Sequence, residues 1–121
     1  MKMTKKILLV IKSPPYGSLM ATEGLRIATA LIAMDMIPQL VFIDDGIYCL
    51  VKNQKPESAG LDSFYDRLKT LADLVGLVVA KDALAKRGLK IEDLDETFQT
   101  KVVSMNEFAK LVAENEVAIA F

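Results

Sequence analysis

The feature that most constrains the fold is a run of five apolar residues, Ile7 to Ile11, with no polar residue among them. A half-buried strand alternates apolar and polar residues, whereas an unbroken run is typical of a strand that is buried on both faces. Such strands occur mainly in parallel sheets that helices cover on each side. Because a membrane span needs roughly 20 residues, we expect a central strand here and no membrane association.

Short apolar runs recur along the chain, and segments with helical spacing separate them. The runs that we predict to be strands lie at 7–11, 39–43, 77–80, 101–103 and 117–121. Helical patterns occupy 19–34, 64–75, 82–87 and 104–112, and one or two helical turns are expected at 47–51. This alternation predicts an α/β fold, a three-layer α/β/α arrangement with a mostly parallel sheet of about five strands. The length suits one domain over residues 1–121.

Capping residues and apolar stripes predict where several helices begin and end. The expected N-terminal caps are Asp44 or Asp45 for the turns at 47–51, Asp62 or Ser63 for the helix at 64–75, and Ser104 for the last helix. Glu107 stands three residues after Ser104, which is the spacing of a reciprocal capping box. Gly76 is expected to end the helix before it. The residues of the last helix that are predicted to be buried are Met105, Phe108, Ala109 and Val112.

The charge balance and the residue inventory exclude several classes of function. The chain has 15 Lys and Arg against 16 Asp and Glu, so it lacks the positive charge typical of a nucleic-acid-binding protein. It contains no His, which excludes histidine metal sites and catalysis by a histidine base. A single Cys excludes an internal disulfide and an all-cysteine zinc site, and it fits a reducing compartment. We therefore expect a cytoplasmic protein without a metal or cofactor.

Ligand sites in open α/β sheets lie beyond the carboxyl ends of the strands, which makes the loops there the candidate sites. The loop after the first strand carries Ser13, Tyr16 and Ser18, and Ser18 could bind an anion together with the following helix N-terminus. Two prolines and one glycine in this loop match neither common phosphate-loop pattern. A rigid turn that leads into the helix is the alternative interpretation.

Two further candidates follow the second predicted strand. Asp44 and Asp45 could bind Mg²⁺ or hold a phosphoryl group, but helix capping is the simpler interpretation. Cys49 carries an intrinsically reactive side chain near a predicted helix start, which can lower the pKa of a thiol. Its sequence neighbours are apolar and no His is present to activate it. A reactive thiol and a small buried hydrophobic residue are therefore both open interpretations.

The distribution of charged and apolar residues bears on possible partners. A basic cluster after the third strand would either meet an anionic partner or form a solvated helix face; it comprises Lys81, Lys86, Arg87 and Lys90. Many large apolar residues fall in short peripheral elements, namely Tyr48, Leu50, Val51, Phe64, Tyr65 and Met105. A small core would leave part of this set uncovered, which favours a subunit of an oligomer.

Six segments form an ordered pattern along the chain. They are Ser13 to Gly17, Glu23-Gly24-Leu25, Phe42 to Tyr48, Gln54-Lys55-Pro56, Ala83 to Leu89, and Val117 to Phe121. In this order and spacing they resemble the DsrE/DsrF-like sulfur-relay family, and most closely its DsrF/TusC branch. The resemblance covers nearly the whole chain and implies a single DsrE/DsrF-like domain over residues 1–121.

The resemblance implies an α/β subunit that assembles with DsrE/TusD-like and DsrH/TusB-like sister subunits, or with copies of itself. Such complexes carry sulfur as a cysteine persulfide, for cytoplasmic sulfur oxidation or for the formation of 2-thiouridine in tRNA. In the DsrE/TusD type, the carrier cysteine ends the third strand, before an Ala-rich helix. The matching position here is Ala80. The resemblance therefore implies a subunit without the carrier thiol, and it assigns no role to Cys49.

One function is expected, with two alternatives. The expected function is that of a non-catalytic, structural or regulatory subunit of a cytoplasmic sulfur-transfer complex, without direct contact to nucleic acid. The first alternative is a homo-oligomeric persulfide carrier that uses Cys49. The second is a small-molecule or anion-binding module, whose ligand-binding residues would be Ser13, Tyr16, Ser18, Asp44 and Asp45. The sequence does not distinguish sulfur oxidation from tRNA thiolation.

Overall fold

An all-parallel sheet forms the centre of the protein in a computed structural model, which describes residues 6–121. Its five strands are β1 (Ile7–Ile11), β2 (Gln39–Phe42), β3 (Gly76–Ala80), β4 (Lys101–Val103) and β5 (Val117–Ala120). They are arranged in the order β4-β3-β2-β1-β5, and every adjacent pair is parallel. The predicted sheet is therefore confirmed, and all five residues of β1 are buried, as its unbroken apolar run requires.

Four α-helices and several short 3₁₀ segments connect the strands. The helices are α1 (Met20–Ala33), α2 (Phe64–Ala72), α3 (Lys81–Lys86) and α4 (Met105–Glu114). The 3₁₀ segments lie at Asp44–Leu50, Pro56–Ala59, Ile91–Asp93 and Glu96–Phe98. Gly88 follows α3 in the left-handed region with φ of 66°, where glycine carries no steric penalty, so it ends that helix.

The helices divide unequally between the two faces of the sheet. We call the face that contacts α1, α2 and α3 the major face, and its largest strand residues are Leu9, Ile11, Leu40, Phe42 and Val79. The opposite, minor face consists of Leu8, Val10, Val41, Val78 and Val103, against which α4 packs through Phe108 and Leu111. Right-handed crossovers explain this division, because the chain moves from β1 to β4 in one direction and returns to β5 on the other side.

The predicted buried stripe of α4 is wrong in part. No residue of α4 is buried; Met105 is 57% exposed and Val112 is 40% exposed. Phe108 is half-buried against the minor face, but Ala109 is exposed. The physical reason is that, within residues 6–121, α4 is the one helix on its face, so no neighbouring helix there covers the sides of its apolar stripe.

The predicted helix caps are confirmed at two helices. The Ser63 hydroxyl accepts a hydrogen bond from the Asp66 backbone N–H at 3.3 Å and caps α2. Ser104 and Glu107 form the predicted reciprocal capping box at the start of α4. The hydrogen bond from the Ser104 backbone N–H holds the pKa of the Glu107 carboxyl below its usual range.

Two other capping predictions are wrong. Asp44 and Asp45 are not caps: they form the first turn of the 3₁₀ segment, whose N-cap is Ile43 without a side-chain hydrogen bond. The reason is that the Asp45 carboxylate is engaged elsewhere, by a guanidinium group from α3. Gly76 does not end α2, which stops at Ala72 with Asp73 as its cap. Gly76 instead begins β3 and pairs with Gln39 of β2.

The 3₁₀ segment Asp44–Leu50 lies directly against the carboxyl end of β1. The Ile43 backbone N–H donates to the Ile11 carbonyl oxygen at 3.0 Å, which fixes the start of the segment. A Cβ atom placed on Gly46 would lie 1.9 Å from that carbonyl oxygen and 2.7 Å from the carbonyl carbon. Glycine is therefore required at this position by a close backbone approach.

The apolar residues singled out from the sequence fall into three groups, of which Val51 and Tyr65 form the half-buried one, packed against the core of the major face. Leu50 is fully buried and Phe64 is 3% exposed, so both belong to the core of the major face. Tyr48 and Met105 are exposed, as expected for residues that a small core leaves uncovered. Among residues 6–121, no helix combines the length and the apolar character that a membrane crossing requires.

Candidate functional site

The crevice between the carboxyl ends of β3 and β4 is the position where the topology favours a functional site. The chain leaves β3 toward α3 on the major face and leaves β4 toward α4 on the minor face. Neighbouring strands whose connections go to opposite faces open a crevice at the switch point, where ligands of open α/β sheets bind. Ala80 ends β3 at this crevice and is 6% exposed.

A small cavity of about 80 Å³ occupies this crevice. Its lining comprises Ile43, Asp44, Ala80, Asp82, Ala83, Lys86, Met105 and Phe108. Lys86 Nζ lies 3.3 Å from the Asp82 carboxylate, so the two charged side chains of α3 in this cavity form an ion pair. The lining holds no thiol, hydroxyl or imidazole group; its polar side chains are the carboxylates of Asp44 and Asp82 and the amine of Lys86.

The two predicted acidic residues after β2 have separate environments. Asp45 accepts a hydrogen bond from Arg87 Nε at 3.0 Å and forms an ion pair with its Nη2 at the same distance. Asp44 is exposed and has a φ of 48°, and it borders the cavity at Ala80. In the described part of the chain, no group of three or more acidic or cysteine side chains could hold a metal ion.

Cys49 lies in the core and not at the Ala80 crevice. Its side chain is 3% exposed, and its thiol donates a hydrogen bond to the Ser13 carbonyl oxygen at 3.8 Å. Burial raises the pKa of the Cys49 thiol well above its usual range, because the thiolate would lose its hydration. Only the thiolate is an effective nucleophile, so this environment suppresses the reactivity of Cys49.

The loop after β1 borders two open clefts. One has a volume of about 380 Å³ and the other about 510 Å³, and Pro15, Tyr16 and Phe64 line both. The Tyr16 hydroxyl accepts a hydrogen bond from the Phe64 backbone N–H at 2.9 Å, which ties the loop to the first turn of α2. The Ser18 hydroxyl accepts from the Met20 backbone N–H at 3.2 Å. Ser18 therefore already satisfies one of the N–H groups that an anion at α1 would need.

Replacing Tyr16 by Phe tests the link between this loop and α2. Tyr16→Phe removes the acceptor of the Phe64 N–H and should lower the free energy of unfolding by about 1 kcal/mol. Urea denaturation followed by circular dichroism measures the change. Tyr48→Phe is the matched control: Tyr48 is 37% exposed, so its change should stay within about 0.5 kcal/mol. Equal effects of the two substitutions would contradict a stabilising role for the Tyr16 hydroxyl.

The structure separates the predicted site residues into two groups. Ser13, Tyr16 and Ser18 belong with Cys49 near the carboxyl end of β1, and Asp44 joins Ala80 at the β3–β4 crevice. The sequence places Arg87 in a basic cluster but does not indicate that Arg87 pairs with Asp45. Nor does it indicate that the Phe64 backbone N–H donates to Tyr16. Because these partners are 42 and 48 residues apart, no local pattern signals either contact.

The strand order and the β3–β4 crevice define an open, all-parallel α/β protein with its candidate site at a topological switch point. Within this class, comparison with known families gives a specific assignment. The DsrE/DsrF-like family model matches residues 5–121, so the chain belongs to the DsrE/DsrF-like family. The matched relatives include DsrF and TusC proteins, in agreement with the predicted DsrF/TusC branch.

Two curated relatives illustrate the similarity. The chain is 30% identical over 113 residues to the intracellular sulfur oxidation protein DsrF of Allochromatium vinosum, covering 92% of this chain and 83% of that protein. It is 27% identical over 119 residues to the protein TusC of Buchnera aphidicola, covering 97% of this chain and 99% of that protein. Both alignments thus extend over most of each chain.

Solved structures show the same fold. The YchN protein of E. coli superimposes with a TM-score of 0.82 at 24% identity, covering 98% of this chain and all of that chain. The protein MTH1491 of Methanobacterium thermoautotrophicum superimposes with a TM-score of 0.70 at 14% identity, covering 97% and 99% of the two chains. At these identities, the likeness concerns the fold alone.

Proposed function

We propose that this chain is a non-catalytic subunit of a cytoplasmic sulfur-transfer complex, in which a sister subunit carries the persulfide. The observation that carries the proposal is the absence of a thiol from the lining of the β3–β4 crevice, where Ala80 ends β3. Family resemblance puts the carrier cysteine of the DsrE/TusD type at this position. The similarity to a protein named for intracellular sulfur oxidation supports the choice of sulfur as the transferred group.

The surroundings of Cys49 support a role without covalent chemistry in this chain. A sulfur acceptor must present a thiolate to an incoming persulfide, and Cys49 is 3% exposed with its thiol directed at the Ser13 carbonyl. Cys49 borders the cleft of about 380 Å³ beside Tyr16, but its side chain is almost fully covered, so a homo-oligomeric carrier that uses Cys49 would require this cleft to widen toward the thiol. The alternative of an anion-binding module is weakened by Ser18, whose hydroxyl already accepts the Met20 N–H.

In this proposal the chain contributes surfaces, and the partners are DsrE/TusD-like and DsrH/TusB-like subunits. Met105 and Val112 leave exposed apolar surface on α4 beside the residues that pack against the sheet. Met105 also borders the cavity at Ala80, so a subunit seated there would meet the crevice directly. Such a subunit would bring its own thiol to a site that this chain shapes.

Purification from the source cells followed by native mass spectrometry tests the proposal. We expect the tagged chain to co-purify with DsrE-like and DsrH-like subunits, and any added sulfur to be on a subunit other than this chain. The Cys49→Ala variant is the control, and it should retain the same partners. Recovery of this chain alone with sulfur bound to Cys49 would overturn the proposal in favour of the carrier alternative.

A further inference from the structure

The outer edge of β5 is open in the described part of the chain, since no strand lies beyond it there. Toward β1, the Val117 N–H donates to the Lys6 carbonyl and the Phe121 N–H donates to the Val10 carbonyl. The Lys12 N–H in turn donates to the Phe121 carbonyl at 2.9 Å. Along a strand, the backbone N–H and C=O groups of successive residues point alternately to one side and the other. Those of Ala118 and Ala120 therefore point away from β1. Both alanines are exposed.

The two edges of the sheet differ in how they are protected. At the opposite edge, β4 has three residues and begins with the exposed Lys101, and a short strand with a lysine discourages pairing with another chain. The edge from Val117 to Phe121 has no charge, no proline and no bulge, and Ile119 is 41% exposed. Natural proteins protect open edges by such devices, and their absence here indicates an edge that is covered in the functional protein.

We propose that β5 pairs antiparallel with β5 of a second copy of this chain, about a twofold axis at Ile119. The two residues whose backbone N–H and C=O groups point away from β1 are Ala118 and Ala120. They are identical and lie on either side of Ile119, so the edge is symmetric about Ile119. Antiparallel pairing places Ala118 opposite the partner's Ala120. By the twofold axis, it also places Ala120 opposite the partner's Ala118. Each of these pairs exchanges two backbone hydrogen bonds. The product is a continuous ten-stranded sheet, twice the five strands of one chain.

The side chains at the axis fit this pairing. Ile119 directs its N–H and C=O groups toward β1, so it faces the partner's Ile119 as a pair without mutual hydrogen bonds. Such pairs have the closer Cα separation of an antiparallel ladder, about 4.5 Å. Two β-branched residues in direct opposition stabilise a sheet, and each would lose part of its exposed surface. Because the order Ala118-Ile119-Ala120 is complementary to itself in antiparallel pairing, we assign the edge to a second copy.

Disulfide cross-linking of the purified chain tests this proposal. A cysteine pair about 4.5 Å apart at Cα lies within the range that a disulfide spans, so Ile119→Cys should give a covalent dimer under mild oxidation. Val112→Cys is the matched control, because Val112 is 40% exposed but lies on α4. We expect at least about tenfold more dimer from Ile119→Cys than from Val112→Cys. Cys49 contributes little background because it is buried.

Hydrogen exchange of the unmodified chain gives a second test that needs no substitution. The Ala118 and Ala120 amides should become more protected as the chain concentration rises, since only the dimer bonds them. The Phe121 amide is the internal control, because β1 bonds it in every state. Equal cross-linking of the two cysteine variants, or alanine amides that exchange freely at every concentration, would overturn the proposal. Both measurements use this chain alone, so they are independent of the proposed sulfur-relay function.

Discussion

Gly46→Ala should lower the free energy of unfolding by at least about 3 kcal/mol, which is a large effect for one methyl group. The added Cβ would lie 1.9 Å from the Ile11 carbonyl oxygen, and a backbone atom at the end of a central strand cannot move aside. The 3₁₀ segment would instead shift away from β1. That shift would break the hydrogen bond from the Ile43 N–H to the Ile11 carbonyl and would open the packing of Ile47, which is fully buried.

Chemical denaturation of the wild type and the variant measures this effect. Gly76→Ala is the matched control, because a Cβ at Gly76 would meet its nearest neighbour, Gln39 Cγ, at 4.0 Å, an ordinary contact. Its free energy of unfolding should stay within about 0.5 kcal/mol of the wild-type value or rise slightly. A loss of less than about 1 kcal/mol in Gly46→Ala would show that the segment accommodates a side chain and that the close approach is not required.

The second large effect concerns thiol reactivity. In the folded wild type, Cys49 should react with a thiol reagent at least about 10³-fold more slowly than in the unfolded chain, because it is buried and protonated. Ala80→Cys should create a second thiol that reacts faster than Cys49 in the folded state. Ala80 borders the cavity at the β3–β4 crevice and is also the N-cap residue of α3, and a helix N-terminus lowers the pKa of a thiol. Counting the modified thiols before and after denaturation measures both reactivities in one experiment.

The control for position is Ala21→Cys, since Ala21 is fully buried in α1 and its thiol should stay unreactive. A fast reaction of Cys49 in the folded wild type would restore the interpretation of Cys49 as a sulfur acceptor. Failure of Ala80→Cys to react while the chain remains folded would show that the crevice does not admit a sulfur-bearing group. In that case the proposal that a sister subunit delivers sulfur to this crevice would lose its structural basis.

The order of elements was predictable from the sequence because each element has a local signal. The unbroken run from Ile7 to Ile11 identifies a strand buried on both faces, and Ser104 with Glu107 marks the start of α4. Helix lengths and caps depend on properties of a few neighbouring residues. These local properties, together with the right-handed crossover rule, were sufficient to predict the α/β architecture and its parallel sheet.

The site was less predictable, because its contacts join distant parts of the chain. From the sequence alone, the Asp45 carboxylate could cap a helix. In the folded chain, Arg87, which is 42 residues away in sequence, lies beside it and binds it. The exposure of α4 was missed for a similar reason. Its apolar stripe is real, but burial of a stripe depends on how many elements share that face of the sheet. The sequence does not show whether Cys49 is a reactive thiol or a buried hydrophobic residue, because the burial of a side chain depends on the whole fold.

The position of β5 beside β1 has a consequence for biosynthesis. The two strands pair although Ile7 and Val117 are separated by nearly the whole chain, so β1 lacks one neighbour until residues 117–121 have left the ribosome. Contacts of such long sequence separation form late, because closing the loop between them costs entropy. During translation, the most apolar strand therefore has an open edge for longer than any other. A nascent chain of this kind would depend on chaperone protection until synthesis reaches β5.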